Sequence, residues 1–348
     1  MGSRDLLYKE HLKTKWGQTI SLLERISCAH LIEEIIPSPL NKGFRNRAKF
    51  RVYENRGTVR IEGTDPYEGD VAFEKALWIL PAWARKVVGH VATYRKDYRH
   101  DFPFDGFELQ LTHGKQQAHL AISVKRVFSE FFVAYAEDLW KTIPELIGVA
   151  IPSKRTELGD ILLDHWLRGK SFLAHYGAFF QSNLSLTPRL LDKIAREAKE
   201  IDYGRIIDLY CGVGVLSLSF AKKETKIVGV ESNKDAVECA LKNALSLGYE
   251  SSSFIHSKVE NFVLSNELRP DSLVIINPPR SGCNSSVIDS VARQKPKNIL
   301  LISCFLETHV RDLELWQERE YEVASISAFD MFPFTPFLET VTRLKFKH

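Results

Sequence analysis

At 348 residues, with 44% hydrophobic and 26% charged residues, the chain has a globular composition and exceeds the usual size of one compact domain, so two domains are expected. No apolar run approaches the roughly 18 residues of a membrane helix, and Met1 to Lys15 is charged rather than apolar; no membrane partner and a cytoplasmic location are expected. The net charge of +3 excludes little, but its distribution is uneven: Lys42, Arg45, Arg47, Lys49, Arg51, Arg56 and Arg60 crowd one stretch against a single acidic residue, Glu54.

Leu12, Trp16, Ile20, Leu23 and Ser27 recur at spacings of three and four, which predicts a helix over Tyr8 to Ile35 that Pro37 and Pro39 end. Residues 1–36 are therefore read as a helical segment packed on the C-terminal domain. After a linker from Pro37 to Gly43, Arg45 to Val52 alternates strictly. As a strand it puts Arg45, Arg47, Lys49 and Arg51 on one face and Ala48, Phe50 and Val52 on the other. Phe107 to Thr112 and Ala118 to Val124, joined by His113-Gly114-Lys115-Gln116, predict a hairpin. Residues 37–168 thus form a smaller α+β domain.

Residues 169–348 change character, to strands alternating with helices, the pattern of an α/β, doubly wound, mostly parallel sheet. Thr187 is expected to cap a helix with Pro188 in its first turn and Leu190, Leu191, Ile194, Ala195 and Ala198 on its apolar face. Arg205 to Leu209 and Lys226 to Val230 read as strands. Asn233 to Leu247 reads as a helix with Ala236, Val237, Ala240, Leu241, Ala244 and Leu245 along one face and Gly248 at its end. Ser272 to Ile276, Asn298 to Ser303 and Glu339 to Phe346 are further strands.

The strand ending in Asp208-Leu209-Tyr210-Cys211-Gly212-Val213-Gly214 leads into a helix, and Gly212 and Gly214 let backbone approach a ligand at the strand's carboxyl end. Ser217 stands where a dinucleotide fingerprint has its third glycine, which weakens an NAD reading. Glu231 closes the next strand, where an acid accepts hydrogen bonds from ribose hydroxyls. Asn277-Pro278-Pro279-Arg280 follows another strand, its prolines stiffening a loop at the same rim. Taken singly, each feature is equally an ordinary strand-exit turn.

The five cysteines, Cys28, Cys211, Cys239, Cys283 and Cys304, are odd in number, far apart and never in a C-x-x-C pair, so neither a disulfide framework nor a metal cage is written here. Cys28 and Cys239 lie within predicted helices and read as packing residues. Cys211, Cys283 and Cys304 lie at or near strand ends on the ligand side, and spacing alone does not choose among them.

Six segments in order resemble the RNA uridine C5-methyltransferases, the family of the tRNA T-loop enzyme and two bacterial 23S rRNA enzymes. They are Gly43 to Lys49, Phe179 to Asn183, Asp208 to Gly214, Asn277 to Gly282, Ser303-Cys304 with Thr308 and Arg311 to Leu313, and Glu339 to Val341. The resemblance spans Tyr8 to Leu344. It implies a Rossmann-like class I methyltransferase domain beside a smaller RNA-binding domain, with S-adenosylmethionine as cofactor. Cys304 would be the nucleophile and Glu339 the base; Gln181, Tyr210, Glu231 and Asn277, with Gly212 and Gly214 of the turn, would line the cofactor site, and Arg280 would stand near the reacting pair. Covalent catalysis suits that chemistry: carbon 5 of uracil becomes nucleophilic once a thiolate adds at carbon 6, and a base must then remove the carbon 5 proton.

The chain departs from the family where Phe305-Leu306 replaces the common Asn-Pro after the nucleophile and where Asn277 replaces a common Asp. Asn-Pro-Pro-Arg, with Phe329-Asp330-Met331-Phe332-Pro333, most resembles the smaller 23S rRNA enzyme. The four iron-sulfur cysteines of many members and the N-terminal oligonucleotide-binding barrel of some have no counterpart in this sequence, so no cluster or metal is expected. The Arg45 to Arg51 face, with Arg95, Lys96 and Arg99, suits phosphate contacts, and Phe179, Phe180, Phe332, Phe334 and Phe337 are candidates to stack on a flipped base. A monomer acting on 23S rRNA, in preference to tRNA, is expected. A base-amine methyltransferase and a non-catalytic RNA-binding protein are the competing readings.

Overall fold

In the computed structural model, the described residues are 3–55, 58–65, 69–97, 104–124 and 131–347. They divide into two units, one of Met1–Pro39, Ala178–Phe180 and Ser185–His348, the other of Leu40–Gly177 and Gln181–Leu184.

The chain begins with helix α1 (Ser3–Glu24), shorter at its carboxyl end than the predicted helix. Ser27 takes a left-handed φ of 57°, and the Cys28 N–H turns back to the Leu23 carbonyl at 2.9 Å, closing the helix before Cys28, which is buried in the following turn. The chain then extends into β1 (Ile35–Ile36), which pairs with a strand near the far end of the sequence. Periodicity overran the helix because Ile32 and Ile35 are buried for a different reason, as part of the same core that α1 packs on.

The second unit is built from β2 (Arg47–Asn55), β3 (Thr58–Asp65), β4 (Gly69–Val71), α2 (Phe73–Trp78), α3 (Ala82–Asp97), β5 (Phe104–Leu111), β6 (Ala118–Val124), α4 (Phe131–Thr142), β7 (Leu146–Ile151), β8 (Thr156–Gly159), β9 (Leu162–Leu167) and β10 (Lys170–His175). Seven strands form one sheet in the order β4-β3-β2-β5-β6-β7-β8, and β9 and β10 make a separate hairpin. The alternation of β2 holds: Ala48, Phe50 and Val52 are buried in a core with Leu109, Leu120 and Val88, while Lys49 and Arg51 are exposed. The predicted hairpin is β5 and β6, with Leu111 opposite Ala118.

The remaining elements are α5 (Thr187–Lys199), β11 (Arg205–Leu209), α6 (Val215–Phe220), β12 (Lys226–Glu231), α7 (Lys234–Ser246), β13 (Ser253–His256), α8 (Val259–Ser265), β14 (Ser272–Ile276), α9 (Ser285–Arg293), β15 (Asn298–Ser303), α10 (Leu306–Glu318), β16 (Tyr321–Phe329) and β17 (Glu339–Phe346). The sheet order is β1-β16-β17-β15-β14-β11-β12-β13, with β13, β12, β11, β14 and β15 parallel and β17 antiparallel to both neighbours. From β11 the chain steps outward to β12 and β13, then returns past β11 to β14 and β15. With right-handed crossovers, that reversal puts the two sets of helices on opposite faces and opens a crevice between the carboxyl ends of β11 and β14. This is the doubly wound sheet that the alternation of elements predicts.

Two local expectations change. Thr187 is the first helical residue of α5 rather than its cap, and Leu186 stands before it without a capping side chain. On α7, Leu241 and Leu245 are 39% and 62% exposed, although Ala236, Val237, Ala240 and Ala244 are buried. Cys239 and Asn243 are buried too, which centres the buried stripe near Ala240; at about 100° per residue, Leu241 and Leu245 turn away from it.

Candidate active site

Cys304 follows directly on β15, whose last residue, Ser303, pairs with Thr340 of the antiparallel β17. The carboxyl end of one strand therefore meets the amino end of the other, bringing Cys304 beside Glu339, the first residue of β17. Of the five cysteines, Cys304 alone is not fully buried. Burial pushes its thiol up to about 12; the neighbouring Glu339 adds to this, and Arg280, hydrogen-bonded to the thiol, opposes it. Glu339 is 5% exposed, and burial pushes its carboxyl up to about 7 against the attraction of the Arg280 guanidinium. One cation thus faces both groups.

Arg280 is held at both ends. Thr308 Oγ1 donates to its carbonyl at 3.1 Å, and its guanidinium lies 5.9 Å from the centre of the Phe337 ring. The Phe337 ring also packs at 5.4 Å on Phe305, the residue after Cys304. Here Phe305 and Leu306, the departure noted in the sequence, stand at the start of α10: Phe305 occupies the N-cap position without a capping side-chain bond, and Leu306, the first helical residue, is buried.

The glycine turn occupies the crevice between β11 and β14. Tyr210, Gly212 and Gly214 have φ values of 62°, 55° and 81°. A Cβ at Gly214 would meet Leu218 Cδ1 at 2.8 Å, so that glycine serves packing. A Cβ at Gly212 would meet nothing nearer than the Phe179 carbonyl at 4.0 Å, which leaves room above the backbone for a ligand. Glu231 reaches back to this turn: its carboxylate accepts from the Gly212 N–H at 3.1 Å, from the Ser232 N–H at 2.7 Å and from the Asn233 N–H at 2.8 Å. The Asn277 N–H donates to the Leu209 carbonyl at 3.3 Å, so the Asn-Pro-Pro loop leaves the sheet beside the turn. Beneath, Asp208 is wholly buried and its carboxyl is pushed up to about 7 by that burial, with Ser217 opposing. Open space at Gly212, an acid at the neighbouring strand end and a half-buried Asn277 fit a nucleoside carrying a ribose.

Among the described residues, Tyr210 also lines a cavity of about 490 Å³ with Glu260, Pro279, Cys283 and Arg311. Its wall is fixed by Asp312, 1% exposed, which accepts from the Cys283 N–H at 2.7 Å and from Arg311 at 2.6 Å. None of Glu260, Arg311 or Asp312 was assigned a site role from the sequence, although Arg311 and Asp312 lie in one of the segments that carry the resemblance. Burial pushes the Cys283 thiol to about 12, and Cys211 lies well above its ordinary value for the same reason. The burial of both separates them from Cys304 as candidate nucleophiles.

Other expected residues fall elsewhere. Gln181, 5% exposed, belongs to the segment grouped with the second unit. Phe180 is nearly buried, at 9%, whereas its neighbour Phe179 is 59% exposed, so Phe179 is the ring available to a partner. On β2, Arg47 pairs with Glu108, Lys49 meets the same carboxylate at 3.0 Å, and Arg51 lies 3.1 Å from Asp70. The cationic face is therefore partly neutralised from β5 and β4, a compensation invisible in the sequence because it comes from distant strands. Arg45 forms a bridge with Asn183. Arg56, Arg99 and the side chains of Arg95 and Lys96 lie outside the described residues. Among the described residues, no cluster of His, Cys, Asp and Glu could hold a metal ion, and no helix is long and apolar enough to cross a membrane.

Residues 164–347 match the family model for tRNA (uracil-5-)-methyltransferase, more than half of the chain. The chain belongs to this family. An RNA methyltransferase of Clostridium acetobutylicum is 33% identical over 98% of the chain and 80% of its own length. The 23S rRNA (uracil(747)-C(5))-methyltransferase RlmC of Xenorhabdus nematophila is 33% identical over 53% of the chain and 49% of its own length. The crystal structure of Pyrococcus abyssi tRNA (uracil-54, C5)-methyltransferase with S-adenosyl-L-homocysteine aligns with a TM-score of 0.73 at 20% identity, over 97% of this chain and 83% of that one, which shows the shared fold. The protein is thus an S-adenosylmethionine-dependent RNA uracil-C5 methyltransferase by family, with a Rossmann-like methyltransferase fold.

Proposed function

We propose that this methyltransferase converts a uridine of structured 23S rRNA to 5-methyluridine, with Cys304 as nucleophile and Glu339 as base. The observation that carries the reading is the placement of a partly exposed thiol beside a buried carboxyl of raised pKa, with one arginine facing both. The rRNA target is favoured by the likeness to RlmC and by Asn277-Pro278-Pro279-Arg280.

Cys304 gives up its proton to solvent, and the thiolate sulfur forms a bond to carbon 6, which moves the electron pair of the double bond between carbons 5 and 6 toward carbon 5. Arg280 stabilises the thiolate, whose formation burial opposes. When bound, S-adenosylmethionine supplies an electrophilic methyl group to carbon 5. Glu339, as carboxylate, takes the carbon 5 proton; the C–H electron pair becomes the double bond between carbons 5 and 6, the carbon–sulfur bond breaks, and the Cys304 thiolate leaves. A base with a pKa near 7 is matched to this step at neutral pH. Gly212 and Glu231 would hold the ribose end of the methyl donor, with Tyr210 and Asn277 beside them on the same unit. Exposed Lys49 and Arg51 would contact RNA phosphates, with Phe179 available for stacking.

Cys304→Ala is expected to abolish methyl transfer to unmodified 23S rRNA while RNA binding survives. RNA carrying 5-fluorouridine, whose carbon 5 fluorine cannot leave as a proton, should trap an adduct on Cys304. An adduct mapped to Cys283 or Cys211, or methylation confined to tRNA transcripts, would overturn the corresponding part of this reading.

A further inference from the structure

One face of α1 meets the loop that delivers Glu339. Tyr8, His11 and Lys15, at helical spacings of three and four, all contact residues 330–337, the connection between β16 and β17. Lys15 is 2% exposed and distributes its ammonium protons over this loop: it donates to the Asp330 carboxylate, to the Phe332 carbonyl at 3.0 Å and to the Phe337 carbonyl at 2.8 Å. Tyr8 donates its hydroxyl to the other Asp330 oxygen at 2.6 Å and accepts from the Ser38 N–H at 3.0 Å. His11 meets the Thr335 carbonyl at 2.9 Å, and the Phe334 ring lies 5.5 Å from Tyr8 and 5.8 Å from His11.

A charge buried this deeply is costly unless it is paired and hydrogen-bonded, and here it is both. Its position is what matters. Phe337 lies two residues before Glu339, and its ring touches Phe305, next to Cys304, and faces Arg280. The carbonyl that Lys15 holds therefore belongs to a residue that packs on Phe305 next to Cys304, faces Arg280 and precedes Glu339 by two positions. We infer that Lys15 is a positioning residue for proton removal: through Asp330 and the Phe332 and Phe337 carbonyls it fixes the loop that aims Glu339 at carbon 5. Tyr8 supports it by orienting Asp330. The inference rests on the roles proposed for Cys304 and Glu339.

The steps before and after methyl transfer separate this role from a merely structural one. Addition by Cys304 depends on β15, whereas proton removal depends on the placement of Glu339 at the end of the loop. In Lys15→Met, kcat is expected to fall on the order of 10²-fold, the scale of an approximately 1 Å misplacement, with KM for 23S rRNA little changed. With ordinary uridine RNA, the methylated RNA–protein adduct should then accumulate on denaturing gels, because its breakdown has slowed more than its formation. Tyr8→Phe should show the same split to a smaller degree and keeps the ion pair, so it decides the matter if Lys15→Met does not fold. Folded Lys15→Met with wild-type kcat, or loss of activity in proportion to loss of folded protein without accumulated adduct, would overturn the inference; so would unaltered turnover in Tyr8→Phe where Lys15→Met is unfolded. Absence of a Cys304 adduct with fluorouridine RNA in the wild-type protein would instead overturn the underlying reading.

Discussion

Glu339 illustrates how a residue's chemistry works against the stability of its fold. Its carboxyl is raised from 4.5 to about 7, so between those pH values the folded chain binds a proton that the unfolded chain releases. Stability therefore falls as pH rises through this window, and above it the ionised side chain costs roughly 3 kcal/mol. Glu339→Gln is expected to melt higher than wild type at pH 8 and at nearly the same temperature at pH 4, while retaining Cys304 adducts that no longer break down. A lower melting temperature at pH 8 would contradict the burial argument. Under the proposed role of Glu339, the same proton governs turnover in the opposite sense: breakdown of the methylated adduct should speed up as pH rises through about 7 and level off above it. At this scale, spacing left three cysteines at strand ends and the family resemblance pointed to Cys304; burial, a three-dimensional property, leaves that thiol the accessible one.

At the scale of elements, the two glycines of the β11–α6 turn look alike in sequence and do different work. Gly214→Ala would drive a methyl group toward Leu218 at 2.8 Å and force a left-handed φ of 81°, so a loss of about 1–3 kcal/mol in stability is expected. Gly212→Ala meets no neighbour closer than 4.0 Å and should cost only about 1 kcal/mol of backbone strain. It would, however, fill the open space that the proposed site leaves for the methyl donor. Thermal melting and titration with S-adenosylmethionine should rank the two variants in opposite order; parallel losses would show that both glycines serve packing alone. Strand limits near this turn were legible because buried parallel strands are short apolar runs bounded by turn residues. The helices were less so. The end of α1 depended on a left-handed Ser27, and the orientation of α7 depended on which of two overlapping apolar stripes the sheet accepts.

For the whole molecule, the basic stretch from Arg45 to Arg51 survives as a partly compensated face in which Glu108 and Asp70 take up some of the charge. Lys49→Glu with Arg51→Glu is expected to weaken RNA binding several-fold and flatten its salt dependence, leaving S-adenosylmethionine affinity unchanged. An unaltered salt slope would place the RNA track elsewhere. The sequence by itself determined the doubly wound sheet, the glycine turn and the alternation of β2, because each follows from local periodicity and from conformations that glycine and proline permit. Tertiary structure alone decided how far each thiol is buried, how far the cationic face is neutralised and that Lys15 grips a loop more than 300 residues away. Those outcomes depend on burial and on charges brought together by strand order, and residues so distant in the chain leave no periodic trace of their pairing.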